Sequence, residues 1–513
     1  MSNSLKDTYQ KTYEHTTHAI HQTGSALHKT GKEVEEYWDK LGPGLTTGAS
    51  DDDPSGIATY SQTGAIYGFG LIWMSLFTFP LMSVVQEMCA RIGMVTGQGL
   101  AANIRRYYPR TVLYVCTILL LCANVFNIGA DLGAMAEGLR LLVPNLPFGL
   151  IVVFFGVLSL VLQIFTSYED YAKYLKYLAL VLLAYVVSAL CVSINWMDVL
   201  HHTLVPSMSF DKDTLVMVCA ILGTTISPYL FFWQTSQEVE EKILKHAHLN
   251  MMAEHQSLSI AEILTPIRPE DEEESEVEKL LEVRTFSKST TMASKNMSGN
   301  LGGQGAQSGS SAVMQDQDLV TTKDIRNMRV DVWTGMFVSN LVMFFIIASC
   351  AATLHASGIT QIKSASDAAV ALRPFAGNFA FVLFAIGIIG TGMLAIPVLA
   401  GSSAYAVSES FGWKFGLYRK LKEAYAFYGV IALSSLVGII LNFIGLDPIK
   451  ALIYSAVGNG LVAPIILFLI VGMSSRSDIM GDKKNGPLAN AIGWITVLLM
   501  FVAAGGTLWA LFA

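Results

Sequence analysis

Eleven apolar stretches recur along the chain, at roughly 45–67, 70–92, 111–141, 147–166, 174–197, 214–237, 331–356, 377–410, 424–444, 448–474 and 488–512. Each is about the length that crosses a bilayer as a helix, and in lipid a helix satisfies its own backbone hydrogen bonds. No other feature constrains the fold as strongly. The residue balance agrees: 52% of the 513 residues are hydrophobic and 14% charged, against about 25% charged in soluble domains. The chain therefore reads as an all-α polytopic protein of the cell membrane, with the lipid bilayer as its surroundings. A set of soluble domains and a disordered chain are excluded. A formal charge of −7 with no large basic block excludes a nucleic-acid partner. Six cysteines (Cys89, Cys116, Cys122, Cys191, Cys219 and Cys350) lie scattered in apolar runs without a CxxC pair. They are expected to be buried apolar residues and not a disulfide framework.

Lys and Arg placement sets the orientation. With the N-terminus in the cytoplasm, the inner loops hold Arg105, Arg106 and Arg110, then Lys173 and Lys176. They also hold Lys414, Arg419, Lys420 and Lys422, and finally Arg476, Lys483 and Lys484. The outer loops hold at most a pair such as Lys363 and Arg373. The expected topology is N-terminus inside, C-terminus outside. Residues 1–40 read as a polar cytoplasmic tail with no apolar signal-peptide core, so the first apolar segment is expected to direct insertion itself. Residues 41–237 hold spans one to six and 331–513 hold spans seven to eleven. Between them, 238–330 reads as a cytoplasmic loop with an acidic run from Glu270 to Glu282 and a Ser/Gly/Gln-rich linker near 296–316.

Two of the spans do not behave like spans. Span one carries Asp51-Asp52-Asp53-Pro54-Ser55-Gly56 in mid-segment. A charge at that depth costs about 2.5–3.5 kcal/mol on insertion scales. Pro54 and Gly56 break the helix, and such backbone survives in a membrane only where it lines a cavity or binds something. Asp53 is expected to be the functional carboxylate, with Asp51 and Asp52 facing a water-filled approach. Span six carries Gly223-Thr224-Thr225-Ile226-Ser227-Pro228-Tyr229. The two interruptions fall five spans apart, and an odd offset inverts orientation. Matching interruptions in two inverted halves point to a transporter's binding site at the midplane. Unwinding is expected near 53–56 and 223–228.

The donors on offer are oxygens: the Asp53 carboxylate, the Thr224 and Ser227 hydroxyls, and carbonyls freed at the breaks. Oxygen-only sites suit Mg²⁺, Ca²⁺ and Mn²⁺, and neither break motif contains His or Met. Mg²⁺ commonly binds through one or two carboxylates and keeps several waters. Asn459, between Gly458 and Gly460 in span ten, adds a candidate carbonyl ligand.

Asp53-Pro54-Ser55-Gly56 resembles the Asp-Pro-Gly-Asn motif of the natural-resistance-associated macrophage protein (NRAMP) metal transporters. The Gln86–Ala101 stretch of span two and the Leu452–Pro464 stretch of span ten are similar to that family's patterns. The resemblance covers the spans, excluding 238–330 and the N-terminal tail. It implies a leucine-transporter-like fold: two inverted five-helix repeats plus an eleventh helix, with helices one and six broken. It also implies a metal site of Asp53, Gly56, Thr224, Ser227 and Asn459. The departures are informative. Gly56 stands where the family has Asn, and Ser227-Pro228-Tyr229 stands for Met-Pro-His. Gln234 stands for the second span-six histidine. This pattern resembles the family's divergent magnesium-transporting branch, which moves Mg²⁺ and also Mn²⁺ and is held to do so without proton coupling.

Asp131 falls near the family's span-three proton-relay acid, and with Tyr229, Trp233 and Gln234 it is expected along the pathway. Glu137 lies close to the outer end. Glu87 and Arg91 read as a structural i, i+4 pair, and Met393 as packing. The expected function is voltage-driven uptake of Mg²⁺, with Mn²⁺ as a second substrate. The alternative is a proton-coupled Mn²⁺/Fe²⁺ symporter. A minor one is an intramembrane prenyltransferase holding Mg²⁺-diphosphate on Asp51-Asp52-Asp53, which lacks a second Asp-rich motif. No catalytic residues and no cofactor are expected.

Overall fold

The computed structural model describes residues 42–166, 183–245, 320–362, 364–370, 377 and 380–512. The N-terminal tail, the loop positions Lys173 and Lys176, Arg373, the first part of span five, the acidic run and the Ser/Gly/Gln-rich linker lie outside the described residues.

Span one is two helices, α1 (Pro43–Asp51) and α2 (Pro54–Tyr67). Span two is α3 (Trp73–Thr96), followed by the short α4 (Leu100–Tyr107). Spans three and four are α5 (Arg110–Leu142) and α6 (Phe148–Phe165). The described end of span five is α7 (Leu183–Cys191), followed by α8 (Trp196–Leu204). Span six is again two helices, α9 (Lys212–Thr225) and α10 (228–245). Then come α11 (Thr322–Thr353), the short α12 (Ala365–Ala369), α13 (Ala380–Phe411), α14 (Tyr425–Leu441), α15 (Pro448–Ser475) and α16 (Pro487–Phe512). Among the described residues, seven helices are long and apolar enough to cross a membrane. The architecture is the leucine-transporter-like fold, two inverted five-helix repeats plus an eleventh helix.

The breaks are narrower than the sequence suggests. Only Asp52 and Asp53 interrupt span one, and only Ile226 and Ser227 interrupt span six. Pro54, Ser55 and Gly56 form the first turn of α2, and Gly223, Thr224 and Thr225 the last turn of α9. The prolines explain this. Proline lacks an N–H and has its φ preset, so it sits well at the first helical position. Pro54 and Pro228 thus start the second halves and do not lie inside the gaps.

Helix also reaches into both ends of the 238–330 range that the sequence reads as a loop. Helix α10 runs on to 245, and α11 begins at Thr322. The polar residues at these ends are partnered inside the protein. Glu238 accepts from Gln234 (2.9 Å), and Glu240 accepts from the Tyr405 hydroxyl and from Leu417 N–H (2.6 Å).

The start of α1 is clamped. Buried Asp331 on α11 accepts from Gly42 N–H (2.8 Å), Gly44 N–H (2.7 Å) and Leu45 N–H (3.1 Å). A carboxylate at a helix N-terminus satisfies orphan donors and complements the helix dipole. Glycines let the two backbones touch. A Cβ on Gly44 would come within 2.6 Å of Val332 N, and one on Gly48 would overlap Gly335. Basic residues of the described loops tie to neighbouring helix ends. Arg105 donates to Glu409 O (3.0 Å), and Arg476 lies over the Tyr107 ring. Arg476 also grips Asp478 (2.6 Å), holding that carboxyl below its usual range.

Glu87 and Arg91 are 3.9 Å apart, a loose pair. Glu87 instead accepts from Arg329 (2.8 Å) and Trp333 Nε1 (2.9 Å), tying α3 to α11, while Arg91 donates to Asn485 (2.6 Å). Glu137 pairs with Arg140 on the same helix (2.9 Å). All six cysteines are free, as expected, but Cys122 and Cys191 are exposed and not buried, because they fall on outward faces of their helices.

Candidate metal site

Asp53 sits in the gap of span one as the N-cap of α2. Its Oδ1 accepts from the Ser55 hydroxyl (2.6 Å) and Gly56 N–H (2.7 Å). Its Oδ2 accepts from Asn127 Nδ2 on α5 (2.8 Å). The Asn127 carbonyl in turn accepts from the Ser455 hydroxyl on α15 (2.6 Å). The carboxylate is therefore braced by α2, α5 and α15. Gly56 contributes its backbone and its smallness. A Cβ there would lie 3.1 Å from Asp51 O and 3.5 Å from Asp53 Oδ1.

Span six meets span one at two points. The Tyr229 hydroxyl donates to Ser50 O (2.8 Å), and the Thr224 hydroxyl lies 3.2 Å from the Tyr60 hydroxyl. Ser227 turns back on α9, its hydroxyl 2.7 Å from both Gly223 O and Thr224 O. It thereby satisfies carbonyls that the helix end would otherwise orphan. Gln234 accepts from Thr47 (2.5 Å) and donates to Glu238 (2.9 Å), linking α10 to α1. Trp233 is buried with its ring 6.3 Å from that of Tyr405, and Gly401 leaves the room it occupies.

The pathway candidate Asp131 and the ligand candidate Asn459 share one feature. Asp131 is fully buried one helical turn beyond Asn127, and among the described residues neither carboxyl oxygen has a hydrogen-bond partner. Asn459, one turn beyond Ser455, is likewise buried with both amide atoms unpartnered. A buried polar group without a partner costs about 1–3 kcal/mol, which sets both residues apart from the apolar side chains packed around them.

Asp51 and Asp52 do not face water here, contrary to expectation. Both are fully buried. Helix α11 covers this side, and its Ser339 donates to Asp51 Oδ2 (2.7 Å). Among the described residues, both Asp52 oxygens are unpartnered. Asp51, Asp52, Asp53 and Asp131 are all at most 2% exposed, so this conformation closes the site toward both aqueous faces. Just beyond Gly56, a cavity of about 10 Å³ lies among Ile57, Ser61, Ala134, Ile388 and Leu452, with room for about one water.

Among the described residues, no three His, Cys, Asp or Glu side chains converge as a metal shell. What the geometry offers a cation is the Asp53 carboxylate among hydroxyl, amide and carbonyl oxygens. Asn127 and Ser455 escaped the sequence reading as site residues. The signal for Asn127 was its i, i+4 spacing to Asp131, which puts both on one face of α5.

The chain is similar to a divalent metal cation transporter, MntH, of Acidiphilium cryptum (strain JF-5). The two are 24% identical over 449 residues, covering 86% of this chain and 83% of that one. Among solved structures it is similar to the Eremococcus coleocola manganese transporter in complex with an aromatic bis-isothiourea substituted compound. That match has a TM-score of 0.64 at 17% identity and covers 90% of this chain and 84% of that chain. A mutant of the same transporter matches at a TM-score of 0.63 and 16% identity, with the same coverage. These likenesses carry the fold. The profile of the natural resistance-associated macrophage protein-like family matches residues 44–266 and 305–510, most of the chain, and the protein belongs to that family.

Proposed function

We propose that this chain is a transporter of divalent cations that takes up Mg²⁺, with Mn²⁺ as a second substrate, and is not an enzyme. Family membership and the likeness to the Acidiphilium divalent metal cation transporter support the divalent cation. The observation that carries the choice of Mg²⁺ is the chemistry around Asp53. Its charged donor is a carboxylate oxygen, held in place by hydrogen bonds from Ser55, Gly56 and Asn127, with no sulfur among those partners. At the facing break, Ser227 has no soft atom. Hard ligands favour Mg²⁺ and Mn²⁺ over softer transition metals. Asp53 is the ligand that carries charge, Thr224, Ser227 and the Gly56 backbone border the site, and Asn459 supplies an amide oxygen. The positive-inside pattern orients the N-terminus to the cytoplasm, which puts the segment between spans six and seven, read from the sequence as 238–330, on the same side.

A second reading, proton-coupled Mn²⁺ or Fe²⁺ symport, draws on Asp131, a buried carboxyl one turn from the residue that braces Asp53. Purified protein in proteoliposomes separates the two. Mg²⁺ uptake under a negative-inside potential, unaffected by a pH gradient, supports the first. Uptake of Mn²⁺ but not Mg²⁺, stimulated by an inward proton gradient, supports the second.

A further inference from the structure

Asp53 has little coordinating capacity left. An ionised carboxylate offers about four lone-pair directions, shared between its two oxygens. The Ser55 hydroxyl and the Gly56 N–H occupy both directions on Oδ1, with the Ser55 N–H a weaker contributor to the same carboxylate, and Asn127 occupies one on Oδ2. One direction on Oδ2 remains. The Asn127 amide is fixed in its orientation, because a carboxylate accepts only, so the NH₂ must face Asp53. The Ser455 hydroxyl holds the amide's other end. The Gly56 N–H belongs to the backbone, whereas Ser55 and Asn127 are side chains that substitution can remove.

We propose that Ser55 and Asn127 are specificity-determining positioning residues: they leave Asp53 one free lone pair, so that it grips a cation through a single oxygen and disfavours Ca²⁺ relative to Mg²⁺. This rests on the Mg²⁺ reading of the same site. Ca²⁺ takes six to eight oxygens in flexible geometry and readily uses both oxygens of a carboxylate. Mg²⁺ demands an octahedron with oxygens at about 2.0–2.1 Å, accepts single-oxygen carboxylates and keeps its waters. A carboxylate whose Oδ1 is filled cannot open to two-oxygen binding. The discrimination then comes from donors that never touch the ion. Removing the Ser55 hydroxyl frees a direction on Oδ1, and removing the Asn127 amide frees the second on Oδ2.

The test uses Ser55→Ala, Asn127→Ala and the double variant of the full chain in proteoliposomes. Mg²⁺ uptake gives KM, and inhibition by Ca²⁺ gives Ki. The ratio of Ki for Ca²⁺ to KM for Mg²⁺ is expected to fall about tenfold in the double variant, with the single variants between. A ratio unchanged within about twofold in the single and double variants, while KM for Mg²⁺ rises, overturns the proposal and leaves these residues a purely structural role. Asn127→Ala strips a partner from Ser455, which keeps Leu452 O as an acceptor (2.8 Å). Should that variant fail to fold, Ser55→Ala alone decides, since Gly56 N–H stays capped by Asp53. Wild-type protein that carries no Mg²⁺ overturns the transport reading instead. The ligand proposal is then read from melting-temperature shifts with Mg²⁺ or Ca²⁺ alone. A Ca²⁺ shift that grows in the variants relative to Mg²⁺ upholds it, and equal shifts sink it.

Discussion

Asp53 caps α2 through Oδ1 and supplies the charge proposed to meet the ion, and substitution can separate these roles. Asn is as good an N-cap as Asp, whereas Ala costs about 0.5–2 kcal/mol at such a position. Asp53→Asn is therefore expected to keep the fold and abolish Mg²⁺ flux. Asp53→Ala is expected to abolish flux and also lower the melting temperature by a few degrees. Full flux in Asp53→Asn would show that the charge is not the ligand. Ser227→Met places a thioether at the facing break and releases the Gly223 and Thr224 carbonyls that Ser227 now satisfies. Competition by Cd²⁺ against Mg²⁺ uptake should strengthen by about tenfold, since sulfur favours softer ions. Unaltered Cd²⁺ inhibition would mean that Ser227 serves only its own helix end. At this scale the sequence was legible where a residue was expensive. Three carboxylates and a proline in an apolar segment have few bland explanations. Asn127 and Ser455 were harder, because a helix absorbs a lone amide or hydroxyl cheaply and spacing alone does not say what it faces.

The two broken helices follow one rule, a gap of two residues closed by a proline. Sequence located the breaks to within a turn, but Pro54 and Pro228 mark where each second half begins. That is why the unwound residues lie just before them. The clamp on α1 was not legible, since Asp331 lies 286 to 289 residues from the N–H groups it accepts. It holds the start of α1 against α11. Asp331→Ala removes three charge-assisted bonds from α1 and leaves its first N–H groups orphaned, a loss of about 1–3 kcal/mol for each group left unsatisfied. Helix α1 is then expected to spend more time away from α11. A cysteine at Thr46, buried on α1, should react with a maleimide applied from the side where α1 begins at least about tenfold faster in this variant. Equal labelling rates would show that the glycine seam at Gly44 and Gly48 holds α1 without the carboxylate.

Whether protons move with the metal depends on the whole molecule, because a proton path must connect the buried site to both faces. Histidine suits such a path because its unperturbed pKa is about 6.5. At the span-six positions in question this chain has Tyr229 and Gln234. The first is tied to Ser50 O, and the second lies between Thr47 and Glu238. An amide does not titrate, and a tyrosine titrates near 10. Acids do stand on either side, Asp131 beside the site and Glu238 below Gln234, so the path is interrupted and not empty. A divalent ion needs no proton partner when the membrane is negative inside. Each charge gains about 2.3 kcal/mol per 100 mV, and twice that supports accumulation of about a thousandfold or more. Voltage-driven Mg²⁺ uptake without stoichiometric proton inflow is therefore expected, read with a pH-sensitive dye trapped in proteoliposomes clamped negative inside. Lumenal acidification that tracks Mg²⁺ or Mn²⁺ uptake, and disappears in Asp131→Asn, would overturn it and establish Asp131 as the acid that carries the proton.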